Sequence, residues 1–164
     1  MQDALGLINQ HRSKGVLVDT NLLVLYLVGK VNRKRIPSFK RTQTYTVGDF
    51  DLLARLIAWF GRLVTTPHIL TQASDLADLN GKELGEVRRL FQTTVDLMEE
   101  RFEESRSVVR DGSFERLGLA DAAISVLCRR DVLVLTDDLD LYVALLGRGV
   151  DAVNFSHVRP LHWH

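Results

Sequence analysis

The chain reads as an α/β protein, a three-layer α/β/α sandwich around a central parallel sheet, and three observations predict it. Short, wholly apolar runs recur along the sequence, helical apolar periods lie between them, and the length of 164 residues suits one domain. An apolar run without alternation is what a strand buried on both faces looks like, and such strands belong to parallel sheets crossed by helices. One domain holds roughly 100–200 residues. Residues 1–164 are therefore read as a single unit, with an N-terminal extension over 1–14.

Val16-Leu17-Val18 is the first strand, ending at Asp19. The stretch 29–48 has no convincing period and reads as a long basic loop; a loop of that length in a compact domain is usually functional or mobile. Phe50, Leu53, Ile57 and Phe60 then recur at helical spacing, with Leu52 and Leu56 widening the stripe. Leu63-Val64-Thr65 is a second strand. Thr66-Pro67 opens a helix expected to run to Ala77, because threonine can cap and proline loses no hydrogen bond at the first helical position. Leu84, Val87, Phe91, Val95, Met98 and Phe102 predict one long amphipathic helix, its other face carrying Glu86, Arg89, Glu99 and Glu103. Leu119, Ala122, Ala123, Val126 and Leu127 mark a helix ending near Arg129, and Leu141, Leu145 and Leu146 mark another. Val132 to Leu135 and Ala152 to Phe155 complete a sheet of about four or five strands.

Composition excludes several classes. With 46% hydrophobic residues the chain is not disordered, and 21 Lys+Arg against 21 Asp+Glu means that charge has to be read locally. Cys128 is the single cysteine, which excludes an internal disulfide and a cysteine zinc cluster and fits a reducing compartment. Met1 to Lys14 lacks the apolar core of a secretory signal. The most apolar stretch, Val16 to Val28, is broken by Asp19 and Asn21 and falls short of the ~20 residues that span a bilayer. A cytoplasmic protein with no membrane partner is expected. Neither a Gly-x-Ser-x-Gly elbow nor a phosphate loop is present, and Leu161-His162-Trp163-His164 reads as a frayed terminus rather than a metal site.

Sites in open parallel sheets form at the carboxyl ends of strands, and two of the predicted strands end in acids. The first gives Val18-Asp19-Thr20-Asn21, a later one Leu135-Thr136-Asp137-Asp138-Leu139-Asp140, and Asp121 stands in the first turn of the helix from Leu119. Any one of these is also read as a helix cap or a dipole partner, worth about 0.3–1 kcal/mol. Together they are crowded carboxylates that repel and raise one another's pKa unless a cation is near. Oxygen-only donors select hard cations, so magnesium or manganese is expected ahead of zinc.

The run Val16-Leu17-Val18-Asp19-Thr20-Asn21, then Leu117-Gly118-Leu119-Ala120-Asp121-Ala122-Ala123-Ile124, then Val134-Leu135-Thr136-Asp137-Asp138-Leu139-Asp140-Leu141 resembles the PIN-domain nucleases in order and spacing. That resemblance implies a PIN-like α/β/α sandwich and a Mg2+- or Mn2+-dependent endoribonuclease acting on single-stranded RNA. Many single-domain members are VapC-type toxins, so an antitoxin protein and a homodimer are implied as partners. Asp19, Asp121 and Asp138 match the family's catalytic, metal-binding acids, Asp140 a secondary metal-binding acid, and Thr136 the Thr-x-Asp motif. Asn21 joins the secondary positions. One position departs: Gln72, which brings no charge to a metal, stands where the family usually has glutamate, and Asp75 one turn later is a candidate substitute or simply a solvated helix residue.

Between Asp19 and Asp49 there is no acid, but there are Lys30, Arg33, Lys34, Arg35, Lys40 and Arg41, with Phe39 and Tyr45 able to stack on bases. Positive charge concentrated beside an acidic cluster suits a polyanion held near metals, and Arg33, Lys34, Arg35, Lys40 and Arg41 are the expected RNA contacts. An ordinary solvated loop is the alternative. Two enzymatic rivals fit worse. A dehalogenase-like phosphatase wants an acid where Asn21 stands, and a receiver domain wants a lysine after a late strand, which Asp151 does not introduce. The non-enzymatic rival is a weakened PIN-like domain serving as an RNA-binding or protein-interaction module, and Gln72 is the residue that favours it.

Overall fold

The computed structural model describes residues 3–160. Its strands are β1 (Val16–Val18), β2 (Leu63–Thr65), β3 (Met98–Glu100), β4 (Leu133–Thr136) and β5 (Ala152–Asn154). They form one all-parallel sheet in the order β3-β2-β1-β4-β5. The helices are α1 (Ala4–Gln10), α2 (Thr20–Val31), α3 (Val47–Trp59), α4 (Pro67–Leu76), α5 (Lys82–Asp96), α6 (Ser105–Val108), α7 (Phe114–Leu117), α8 (Leu119–Leu127), α9 (Leu139–Gly147) and α10 (Phe155–Val158). Among the described residues no helix is long and apolar enough to cross a membrane.

The three-layer sandwich follows from the strands. The central pair, β1 and β4, has no solvent-facing side: Val16, Leu17, Leu133, Val134 and Leu135 are all essentially inaccessible, so both faces need helical cover. The helical crossovers between parallel strands supply it. α2 packs against α3, α4 and α5, and α8 packs against α4, α6, α7 and α9. α2 is buried along almost its whole length, including Leu22, Leu23, Leu25 and Leu27. Gly29 lets α3 approach it, since a Cβ there would collide with the Phe50 ring.

Three stretches read from the sequence take a sharper form. The long helix predicted through Phe102 stops at Asp96, and Met98 and Glu99 belong instead to edge strand β3. Phe102, the last residue of that period, is 71% exposed and does not face the core. The N-terminal extension is packed against the body from Asp3 onward. Asp3 caps α1, Leu7 and Ile8 are buried, and buried His11 places Nε2 2.8 Å from the Asp151 carboxylate. The stretch 29–48 is not a structureless loop. α2 continues to Val31, Asn32 caps a 3-10 turn over Arg33–Arg35, Ile36 is buried, and the buried Thr42 hydroxyl donates to the Ile36 carbonyl at 2.9 Å. The tail Leu161-His162-Trp163-His164 lies outside the described residues.

Candidate active site

The strand order reverses between β1 and β4. From β1 the chain moves to β2 and β3 on one side, and from β4 it moves to β5 on the other. The crevice beyond the carboxyl ends of that central pair is where open α/β sheets bind ligands. Both strands end there in acids, because Val18 and Leu135 are register partners.

Asp19 caps α2: one carboxylate oxygen accepts from the Thr20 amide at 2.8 Å and the other from the Thr136 hydroxyl at 2.7 Å. Its own amide donates to the Leu135 carbonyl at 3.0 Å. Thr136 faces two ways, since its oxygen also accepts from the Asp138 amide at 3.0 Å. A single hydroxyl therefore ties the end of β1 to the turn after β4. Asp138 caps α9 through the Leu141 amide at 3.0 Å. Asp121 comes from α8, whose start is set by Gly118 at φ +81°, a conformation that side chains rarely adopt.

Asp19, Asp121 and Asp138 lie within reach of one another's charge. Burial pushes the Asp121 carboxyl up to about 7, with repulsion from Asp19 and then Asp138 adding to it. Burial also raises Asp19, the Thr136 hydroxyl and Thr20 amide pull it part of the way back, and Asp138 repels it. Among the described residues no lysine or arginine pairs with Asp19, Asp121, Asp137 or Asp138.

A further acid belongs here. Asp137 accepts from the Tyr45 hydroxyl through Oδ2, while its Oδ1 is buried without a partner. Burial raises its pKa, and Asp19 and Asp138 reinforce the shift while Asn21 opposes it. The signal for it is the density of acids from Asp137 to Asp140; matching positions to a motif picks Asp138 and passes over its neighbour. Asp140 stands apart. Its side chain is 81% exposed, its nearest cation is Arg116 at 3.8 Å, and it adds no repulsion to Asp19 or Asp121.

The remaining predicted residues line the crevice beside Asp19. Asn21, Gln72, Asp75 and Leu76 form a surface cleft with Asp19 and Thr20. Gln72 is fixed there by the Thr20 hydroxyl, which donates to its Oε1 at 2.8 Å. That leaves the Gln72 amide group as a donor facing the cleft, where a glutamate would present only acceptors.

The basic segment is more neutralised than its sequence suggests. Arg33 pairs with Asp51 at 2.6 Å, Arg35 with Glu83 at 2.6 Å and Lys40 with Asp78 at 3.4 Å. Lys34 and Arg41 are exposed and have no acidic partner among the described residues. Exposed pairs of this kind are worth about 0–1 kcal/mol, so an incoming phosphate can displace them. The segment reaches Asp78, just after α4, through Lys40, and Asp137 through Tyr45.

No family model, curated protein or solved structure matches the chain. The chemistry of the site rests on its donors. They are carboxylate, amide and hydroxyl oxygens, a set suited to Mg2+ or Mn2+. Among the described residues no three His, Cys, Asp or Glu side chains converge closely enough to form a ready-made metal cage. The donor chemistry still fits a hard cation, because unpaired and mutually repelling carboxylates, with the orphaned Asp137 Oδ1 beside them, are what such an ion relieves.

Proposed function

We propose that this protein is a Mg2+- or Mn2+-dependent endoribonuclease that cuts single-stranded RNA, with Asp19, Asp121 and Asp138 holding the cation. The observation that carries the reading is the gathering of these acids, without a basic partner, at the switch point of a parallel sheet. A bound divalent ion would supply an activated water and stabilise the departing oxygen of a phosphodiester. The chain's own groups do the rest. Thr136 orients Asp19, the Thr20 hydroxyl orients Gln72, and the Gln72 amide can donate to a phosphate oxygen or to water. Lys34 and Arg41 offer cations for the flanking phosphates. Service as the toxin of a toxin–antitoxin pair, with an antitoxin partner and a homodimeric form, belongs to the same proposal and rests on the resemblance to PIN-domain nucleases.

The test is cleavage of a labelled single-stranded RNA with and without Mn2+, for wild type and Asp138→Asn. Manganese-dependent cutting that Asp138→Asn reduces by about a hundredfold or more supports the reading; one removed electrostatic contact at a reacting centre costs on this order. Gln72 favours a second reading, a non-catalytic RNA-binding module. Under that reading neither wild type nor Gln72→Glu cuts RNA, whereas a weakened nuclease gains activity from the added carboxylate.

A further inference from the structure

One contact with the acids has no part in holding a cation. Tyr45 closes the basic segment, is buried, and puts its hydroxyl on Asp137 in the acidic crevice. Its backbone is held on both sides. The Tyr45 amide donates to the Thr42 carbonyl at 2.9 Å, and the Thr42 hydroxyl reaches back to Ile36 beside the Arg33–Arg35 turn. On the other side Arg159, just after α10, donates to both Asp49 oxygens at 3.1 and 2.7 Å and to the Thr44 carbonyl at 3.3 Å. Its guanidinium lies 5.5 Å from the centre of the Tyr45 ring. The Asp49 carboxylate in turn completes a capping box with Thr46. The corner around Tyr45 is thus clamped, and its hydroxyl is the group by which that clamped corner touches the acids.

We propose that Tyr45 is a positioning residue: its hydroxyl on Asp137 latches the basic segment 33–45 to the acidic crevice, so that Lys34 and Arg41 stand in register with the cleavage site when a strand of RNA is bound. The proposal rests on the RNA reading of the cleft. Physically, the segment crosses from α2 to α3 outside the sheet and has no strand of its own to fix it. Its cations lie on an exposed surface, where their placement depends on the few contacts beneath. Asp137 is suited to receive the latch, because its other oxygen is buried and partnerless and its neighbours Asp19 and Asp138 repel it. Without the phenol, nothing among the described contacts pulls Asp137 toward the segment.

Tyr45→Phe removes only the hydroxyl and keeps the ring under Arg159. The experiment compares wild type, Tyr45→Phe, Asp137→Ala and the double variant, using a labelled single-stranded RNA 12-mer bound in EDTA and hydrogen exchange across residues 36–46. Tyr45→Phe is expected to weaken RNA binding about fivefold, the net worth of one hydrogen bond, and to speed exchange of the 42–46 amides. Under manganese it should raise KM by a similar factor and leave kcat unchanged, which a general loss of structure would not do. In the Asp137→Ala background, Tyr45→Phe should change neither binding nor exchange. Wild-type affinity in Tyr45→Phe, or an undiminished effect in the Asp137→Ala background, overturns the latch while leaving the RNA reading standing. If wild type binds no RNA, the RNA reading fails and takes the positioning role with it.

Discussion

Asp49 and Asp121 show how differently this fold treats two of its carboxylates. Asp49 is completely buried at the start of α3, and burial opposes its ionisation, but the Arg159 guanidinium and the Thr46 amide and hydroxyl outweigh that and hold its pKa below the ordinary range. Asp121 is only partly buried, yet burial and repulsion from Asp19 and Asp138 carry it up to about 7. Depth does not separate them; a partner does. Asp111 teaches the same lesson near the surface, where hydrogen bonds from Arg148 and then Ser113 push its pKa far down. Elsewhere in the molecule these acids are satisfied. At the carboxyl ends of β1 and β4, Asp19, Asp121 and Asp138 repel one another without such a partner, which costs stability.

The largest way to break this comparison is to strip Asp49 of its arginine. Arg159→Met should leave the buried carboxylate without its cation and cost about 3 kcal/mol, the low end for a broken buried pair because Arg159 is one-third exposed and the Thr46 amide remains. Urea denaturation checks this, and a loss under about 1 kcal/mol would mean that Asp49 finds water or another donor.

Thr136→Val tests the acidic side. It removes the donor to Asp19 and the acceptor for the Asp138 amide together, so a loss of about 1–3 kcal/mol is expected. Thr136→Ser, which keeps both bonds, should recover most of it in the same denaturation series.

Asp121→Asn should have the opposite sign and the smallest size. The Asp121 carboxyl has a folded pKa near 7 against an ordinary value of 3.8, so the fold binds its proton more tightly than the unfolded chain does. Stability from that proton is full below about pH 4 and is lost as pH rises through about 7. An asparagine is not subject to the loss. In metal-free buffer Asp121→Asn should therefore match wild type at pH 4 and exceed it at pH 8, by about 1–2 kcal/mol after discounting for solvent screening of a partly exposed group. Melting curves at the two pH values decide it; a variant less stable than wild type at pH 8 would show that the charge repulsion is already relieved.

How much of this was legible in the sequence depends on what each residue faces. β1, β2, β4 and β5 stand out because a strand buried on both faces must be apolar throughout, as Val16-Leu17-Val18 is. β3 does not, because an edge strand has one neighbour and two exposed glutamates, so Met98 merges into the helical period before it. Asp19, Asp121 and Asp138 were visible as acids placed after strands or in a first turn. The connection from Tyr45 to Asp137 was not, since it joins residues 92 positions apart through side chains alone. Nor could charge counting reveal that Arg33, Arg35 and Lys40 already face Asp51, Glu83 and Asp78.

The central claim is that the unpaired acids exist to hold a divalent cation, and thermal melting against Mn2+ concentration at about pH 7.5 tests it most directly, because a ligand bound only by the folded state stabilises it by mass action. That stabilisation is about 2.7 kcal/mol at a hundredfold excess over Kd, or roughly 5–10 °C for a domain of this size. The account predicts that rise for wild type and a flat response for Asp19→Asn. An equal rise in both, or none in wild type, would contradict it.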